Sequence, residues 1–331
     1  MFNTNIKSML DLIRTFPDEQ SCIDYLEQIR WAGNVISPFD ANSKVYKCKG
    51  NKYKCKATGK YFNVRTGTMY DNSKMDLQKW FLAVWLVTSH KKGISSLQLG
   101  RDLSITQKSA WFMLIRIRAC FGIENDNDLE GTIECDESFY GGKNINRHKD
   151  KKVEKCQGRS FKDKVPIMGM IQRRETETIV RPHKVIDGKT VTEKKVLKHS
   201  KLNAFVIPNT QKTSIQPLIK EFVKEGSRVI TDEWIGYRGL SGYKHDIIDH
   251  SKKEYVNADD PTMHTNSIEG SWKIMKNSFR DMYNHVSKKH LQLYVDEHVY
   301  RYNMRQHPDS DKFNWLIANN EVRTKYKDII K

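Results

Sequence analysis

The chain has 331 residues, 38% of them hydrophobic and 29% charged, with a formal charge of +17 from 57 Lys and Arg against 40 Asp and Glu. Its longest apolar run, Phe81-Leu-Ala-Val-Trp-Leu-Val87, is far short of the roughly 20 residues of a membrane span, and six scattered cysteines give no disulfide framework. The start lacks the apolar core of a signal peptide, so a cytoplasmic, nucleoid-associated protein without membrane contact is expected, and the excess of basic residues is the footprint of a nucleic-acid binder.

Residues 1–35 read as one or two helices, with Met9, Leu10 and Ile13, then Ile23, Leu26 and Ile29, at helical spacing. From Val45 to Thr68, short polar and aromatic runs broken by Lys49-Gly50-Asn51 and Thr58-Gly59 predict a small antiparallel β module. Cys48 and Cys55 within it are two sulfur ligands, but a structural zinc site wants four, usually arriving as C-x₂-C pairs, and none is present. Zinc is therefore not expected. Residues 75–90 predict a strongly apolar helix. Two more helices, from Ile94 to Gly100 and from Thr106 to Arg118, are joined by a turn around 102–105. This helix-turn-helix-like pattern, about 92–119, would offer Gln107 and Lys108 to the major groove; a plain helical hairpin is the alternative.

An acidic run at 124–130 marks a boundary, after which Thr132–Glu137 reads as a strand ending in two acids. Residues 143–164, with nine Lys or Arg against three acids, read as a mobile basic loop. Residues 165–171 and 178–186 look like the arms of a hairpin turning at 175–177. A helix near 211–225, a second acid-ended strand at 227–232, and a mainly helical region from about 264 to 305 complete an α/β order.

The chemistry lies in the acids. Two strands end alike, Ile133-Glu-Cys-Asp136-Glu137 and Val229-Ile-Thr-Asp232-Glu233, and side-chain alternation lets each Asp-Glu pair aim one carboxylate at a shared face. If the strands are neighbours, Asp136 and Asp232 converge and repel unless a cation lies between them, a setting suited to Mg²⁺ and, with two ions, to phosphodiester chemistry. In the helix opening near His264, Asn266, Glu269, Lys273 and Lys276 share one face. Glu269 would complete the metal site while Lys273 and Lys276 reach for phosphates. The plainer reading is a surface helix with a Glu–Lys pair.

The blocks Cys135-Asp-Glu-Ser-Phe-Tyr-Gly-Gly-Lys143, Thr231-Asp-Glu-Trp-Ile-Gly-Tyr237, His264-Thr-Asn-Ser-Ile-Glu-Gly-Ser-Trp272 and Tyr294-Val-Asp-Glu-His-Val-Tyr-Arg-Tyr-Asn-Met-Arg305 together resemble the insertion-sequence transposases with an ISXO-type DDE domain, bacterial relatives of the Merlin elements. The resemblance spans about 130–305. It implies an RNase H-like catalytic domain, a mixed sheet flanked by helices, and cut-and-paste transposition using two Mg²⁺ or Mn²⁺ ions, with Asp136, Asp232 and Glu269 as the catalytic and metal-binding acids. Asn266 is the rival for the third position. Lys273, Lys276, Arg301 and Arg305 would hold DNA, the terminal inverted repeats and the target, in a homo-oligomeric assembly. Upstream, Tyr53–Thr68 is similar to the second half of a zinc ribbon, but the knuckles read Cys55-Lys-Ala-Thr58 and Ser37-Pro-Phe-Asp40, so a metal-free β module (about 37–68) held by Tyr53, Tyr61 and Phe62 is expected. The expected organisation is a DNA-binding region at 1–125, a catalytic domain at 130–305 and a helical tail at 306–331. Two other readings stay open: a host-adopted, non-catalytic DNA-binding protein, and a structure-specific nuclease of the same fold.

Overall fold

The computed structural model describes residues 6–141, 148–152, 164–182, 190–248, 260 and 262–330. Most of the basic segment 143–164, expected as a mobile loop, lies outside them. The chain forms two units, Met1–Ile123 with Ser278–His285 and Met304–Lys331, and Glu124–Asn277 with Val286–Asn303. No helix among the described residues is long and apolar enough to cross a membrane.

In the first unit, α1 (Met9–Thr15) and α2 (Glu19–Trp31) start where Ser8 and Asp18 accept from the N–H groups of Asp11 and Ser21, satisfying donors that a helix start leaves open. A three-stranded sheet follows: β1 (Val45–Cys48), β2 (Lys52–Cys55) and β3 (Tyr61–Phe62). Tyr53 and Phe62 stack at 5.7 Å, and Trp31 of α2 meets both edge-on at 5.2 and 6.1 Å. Tyr61 faces outward, 60% exposed, so Trp31 holds the place expected for it in the aromatic core. Cys55 is buried, and the hydroxyls of Ser37, Ser43 and Thr58 around its sulfur pull the thiol down to about 6. Ser37 and Thr58 are knuckle positions of the ribbon pattern, now filled by hydroxyls.

Helix α3 (Leu77–Ser89) is buried along most of its length. The helix α9 (Asp309–Ala318), from the segment expected as a tail, packs on it through Phe313, 5.7 Å from Phe81 and 6.1 Å from Trp85. Helices α4 (Ser96–Asp102) and α5 (Gln107–Ala119) are joined by a four-residue turn. Gly100 lets them close up: a Cβ there would lie 3.1 Å from the Ile105 carbonyl oxygen. Thr106 caps α5 by accepting from the Ser109 N–H.

The second unit is built on a mixed five-stranded sheet in the order β10-β9-β4-β5-β8. Its strands are β4 (Thr132–Tyr140), β5 (Val165–Gln172), β8 (Lys201–Val206), β9 (Arg228–Asp232) and β10 (Lys244–Ile248). β9 runs parallel to β4 and β10, while β5 is antiparallel to β4 and β8. The hairpin expected between 165–171 and 178–186 does not form. β5 is buried along nearly its whole length and takes a partner on each side, whereas β6 (Glu175–Pro182) pairs with β7 (Thr190–Lys198) in a separate exposed ribbon. Residues 183–186 lie outside the described set. α6 (Lys212–Phe222) covers one face of the sheet, where Ile215 and Ile219 meet Cys135, Met168, Met170 and Val229. α7 (Asn266–Ser278) packs on the opposite face, and α8 (Leu291–Asn303) lies along β8.

Candidate active site

β4 does not end at its acids. It pairs with β9 only from Thr132 to Glu134 and continues beside β5 to Tyr140, which places Asp136 in mid-strand where β9 has fallen away. β9 ends at Asp232, on the register that brings it level with Asp136. Asp136, Glu137 and Asp232 each bring a ligand oxygen within 4.8 Å of the others. Strand alternation suggested that Glu137 would be excluded from this face; its longer side chain at the open edge of the sheet reaches the cluster. Behind it stands the buried Tyr237, whose phenol is held well above its ordinary range by burial and by the Glu137 carboxylate.

The turn after Asp232 is held from α6. Gln216 donates to the carbonyls of Gly236 and Arg238, and the Trp234 indole donates to Thr210 O at 2.7 Å. Trp234 N in turn donates to Asp232 Oδ1 at 3.1 Å, which fixes that carboxylate.

Trp272 supplies the other orientation. Its Nε1 donates to Asp136 Oδ2 at 3.1 Å, and its ring lies over Gly169, the register partner of Asp136 on β5. A Cβ at 169 would fall 2.5 Å from the indole, so only glycine allows this approach. Trp272 is thus core and hydrogen-bond donor together. Burial, then the nearby Asp232 and, less strongly, Glu269, push the Asp136 carboxyl up to about 6. The donor set of hard, mutually repelling carboxylate oxygens fits a divalent cation.

Helix α7 is tied to β4 by a residue that sequence reasoning passed over. Glu134, fully buried two residues before Asp136, accepts from Ser267 N at 2.8 Å and Ile268 N at 2.9 Å. It therefore caps the helix that carries Glu269 with a charge suited to a helix start. Its second oxygen accepts from Arg173 Nε at 2.6 Å, and that guanidinium also donates to the carbonyls of Thr262 and His264. A signal was present: an acid inside an apolar strand, in phase with Asp136, must find a partner. From the other side, His298 of α8 meets Ser271 at 2.8 Å, both buried.

Glu269 is exposed, with its Oε1 accepting from Thr265 Oγ1 at 3.0 Å. It lines a 380 Å³ cleft with Asp136, Glu137, Trp272, Lys273, Lys276 and Asn277. Three of the four residues expected on one face of α7 thus meet at the acids. The fourth, Asn266, opens the helix, is exposed, and is not among the residues lining this cleft. Arg301 is largely buried and bonded to Glu297 of its own helix at 2.6 Å. Arg305 is exposed and belongs to the first unit, as do Gln107 and Lys108 at the exposed start of α5. Gln107 donates to Ser96 Oγ, and Lys108 lies over the Tyr326 ring.

Comparison with known proteins adds to this geometry. Residues 128–303 match the family profile of the ISXO2-like transposase domain. An uncharacterized protein in the transposable element ISH50 of Halobacterium salinarum is 24% identical over 318 residues, covering 92% of this chain and 98% of that protein. An uncharacterized transposase-like protein of Haemophilus influenzae is 32% identical over 105 residues, 31% of this chain and 81% of that protein. The profile spans more than half of the residues and contains the whole acid cleft, and on that match the chain belongs to the family of ISXO2-like transposases.

Proposed function

We propose that the chain is a DNA transposase that cuts at the ends of its element and joins them to new DNA, with Asp136, Asp232 and Glu269 as its catalytic acids in an RNase H-like domain. The observation that carries this reading is one cleft inside the family-matched segment, lined by Asp136, Glu137, Glu269, Lys273 and Lys276, with Asp232 clustered against Asp136 and Glu137. Acids and lysines side by side suit a phosphodiester, which needs positive charge on its oxygens and carboxylates to hold the ions.

Asp136 and Asp232 would hold two Mg²⁺ or Mn²⁺ ions together with Glu269; Glu137 joins this set. Bound there, the ions would supply the charge that activates an attacking oxygen and stabilises a leaving one. The chain's own residues do the positioning. Trp272 keeps Asp136 turned into the cleft, the Trp234 N–H fixes one oxygen of Asp232, and Lys273 and Lys276 receive the phosphate oxygens. In the first step water adds to the phosphorus at the element's end and the 3′-oxygen leaves as a hydroxyl. In the second, that hydroxyl adds to a target phosphorus and the target's own 3′-oxygen leaves. Binding of the end sequences falls to the first unit, with Gln107 and Lys108 at the start of α5 as the groove-facing residues.

The test is incubation of the purified chain with Mg²⁺, labelled terminal-repeat DNA and a plasmid target. Nicked ends and end-plasmid joints are expected, and both vanish in Asp136→Asn. Cutting without joining would leave a nuclease, and binding without either would leave an adopted DNA-binding protein.

A further inference from the structure

The hairpin that carries Gly169 does not stop at the sheet. β5 and β8 pair as far as Gln172 and Lys201, and beyond Arg173–Arg174 and His199–Ser200 the same two segments pair again as β6 and β7, from Glu175 and Lys198 to Pro182 and Thr190. Eight residues of β6 reach about 26 Å at roughly 3.3 Å per residue. Every residue of this ribbon is exposed except Ile179, which is half-buried; Val180 is 60% and Leu197 55% exposed.

Such a ribbon is marginal alone in water, and a free edge is a template for another strand. Elsewhere the chain closes an edge of this kind. Along β8, the N–H groups of Leu202, Ala204 and Val206 donate to the side chains of Asn303, Asn125 and Gln292. Among the described residues no equivalent cover lies on β6 or β7. The two edges differ in chemistry. β7 carries Lys194, Lys195 and Lys198, the residue type that keeps edge strands apart, whereas β6 has no lysine. Two charges of β6, Glu177 and Arg181, are instead equally spaced on either side of Ile179, while the third, Glu175, sits at the base of the ribbon 3.8 Å from Lys198.

We propose that the outer edge of β6 joins two copies of this chain, antiparallel, about a two-fold axis at Ile179. In this register Ile179 faces itself, Thr178 faces Val180 of the second copy, and Glu177 faces Arg181 of the second copy, twice by symmetry. Directly opposed residues share a face, so both charge pairs flank the isoleucine pair. The same construction on β7, with Glu193 facing Lys195, sets Lys194 against itself, which favours β6. Within its own chain Arg181 is 3.3 Å from Glu193 and remains 63% exposed, open to a second carboxylate. The interface is a matter of assembly and does not depend on the reaction proposed above.

Sedimentation equilibrium of the full chain without DNA, over a concentration series, reads the association directly. Wild type is expected to dimerise. Glu177→Arg and Arg181→Glu each oppose like charges and are expected to weaken the dimer roughly tenfold or more. An equimolar mixture of the two variants, and the double variant Glu177→Arg/Arg181→Glu, should regain it, since each mixture or double reversal restores opposite signs. Under mild oxidation Ile179→Cys should form a disulfide-linked dimer faster than Val180→Cys or wild type. Glu177, Val180 and Arg181 are exposed and Ile179 is half-buried, so unfolding midpoints of all variants will certify the fold. A wild type that stays monomeric, or single reversals that associate as well as wild type, would overturn the proposal. Reversals that weaken binding of end DNA while leaving association unchanged would make the ribbon a nucleic-acid contact instead.

Discussion

Removing the carboxylate of Glu134 tests how the site is built. Its two oxygens take three hydrogen bonds at 2.6 to 2.9 Å, two from the first turn of α7 and one from Arg173, with no exposure to solvent. In Glu134→Ala the N–H groups of Ser267 and Ile268 lose their acceptor, at about 1–3 kcal/mol for each buried donor left unmade. The Arg173 guanidinium loses its counter-charge, and breaking a buried pair costs about 3–5 kcal/mol. Arg173 keeps 16% of its side chain exposed and retains two carbonyl acceptors, and Ser267 is half-buried, so water recovers part of the loss. A net destabilisation of about 3–4 kcal/mol follows, visible as a lowered urea midpoint with unchanged slope. Glu134→Gln keeps one carbonyl oxygen for the helix but lacks the charge for Arg173, and about 1–2 kcal/mol is expected. That milder variant stays folded and reports on position. With α7 loosely tied, its cation affinity, followed by thermal shift, should fall about tenfold or more, as when a partner behind a metal ligand is lost. A Glu134→Ala midpoint equal to wild type would refute the cap-and-pair reasoning. A destabilised Glu134→Gln with unchanged cation affinity would refute the positioning half.

Three further outcomes follow from the same geometry. In Gly169→Ala the new methyl lies 2.5 Å from the Trp272 ring and 2.9 Å from Ile268 Cδ1, an overpacking of about 1–3 kcal/mol; adding Trp272→Leu should recover most of the stability but not the hydrogen bond to Asp136, and a neutral Gly169→Ala would contradict the close approach. His298 is held at about 4 by burial, with Arg301 lowering it further and Glu297 opposing. Between its ordinary 6.5 and 4 only the unfolded chain takes the proton, so this residue's contribution is complete above pH 6.5 and is lost as pH falls through that window, by up to about 3 kcal/mol. Asp296, pushed up to about 6 by burial, works the other way over part of the range, so the readout is the difference between wild type and His298→Asn, which should shift toward the variant from pH 7 to pH 4. Without cations, Asp136→Asn should be at least as stable as wild type because it relieves carboxylate repulsion, yet it should lose the cation-induced gain of about 2.7 kcal/mol expected at a hundredfold excess over Kd. A gain that persists in this variant would place the ion elsewhere.

Much of this site could be read from local pattern, because its parts sit where local rules operate. Asp136 and Asp232 stand out because each follows an apolar strand run and precedes a glutamate, and the shared face of Glu269, Lys273 and Lys276 follows from helical spacing. What sequence could not supply were facts of register and depth. β4 passes its acids because β5 pairs it further than β9 does, and Glu137 joins the cluster because the sheet edge is open there. In sequence Glu134 is one acid among several, and only the start of α7 against its carboxylate gives it a role. The hairpin expected between 165–171 and 178–186 does not form although both segments have strand composition, because only burial separates apolar β5 from the exposed threonines and glutamates of β6. In the small β module, Trp31 replaced Tyr61 because the partner came from a helix outside the pattern.

The most direct test of the central claim is a quantitative strand-transfer assay on terminal-repeat DNA with Asp136→Asn, Asp232→Asn, Glu269→Gln, Asn266→Ala and Arg301→Ala compared side by side. The three acid variants should each lose both cleavage and joining by about a thousandfold or more while still binding end DNA, as expected when a group acting on charge at the reacting phosphate is removed. Asn266→Ala, outside the cleft, should retain most of its activity, and so should any folded Arg301→Ala. Full activity in Glu269→Gln together with loss in Asn266→Ala would contradict the assignment and move the third ligand to the first residue of α7.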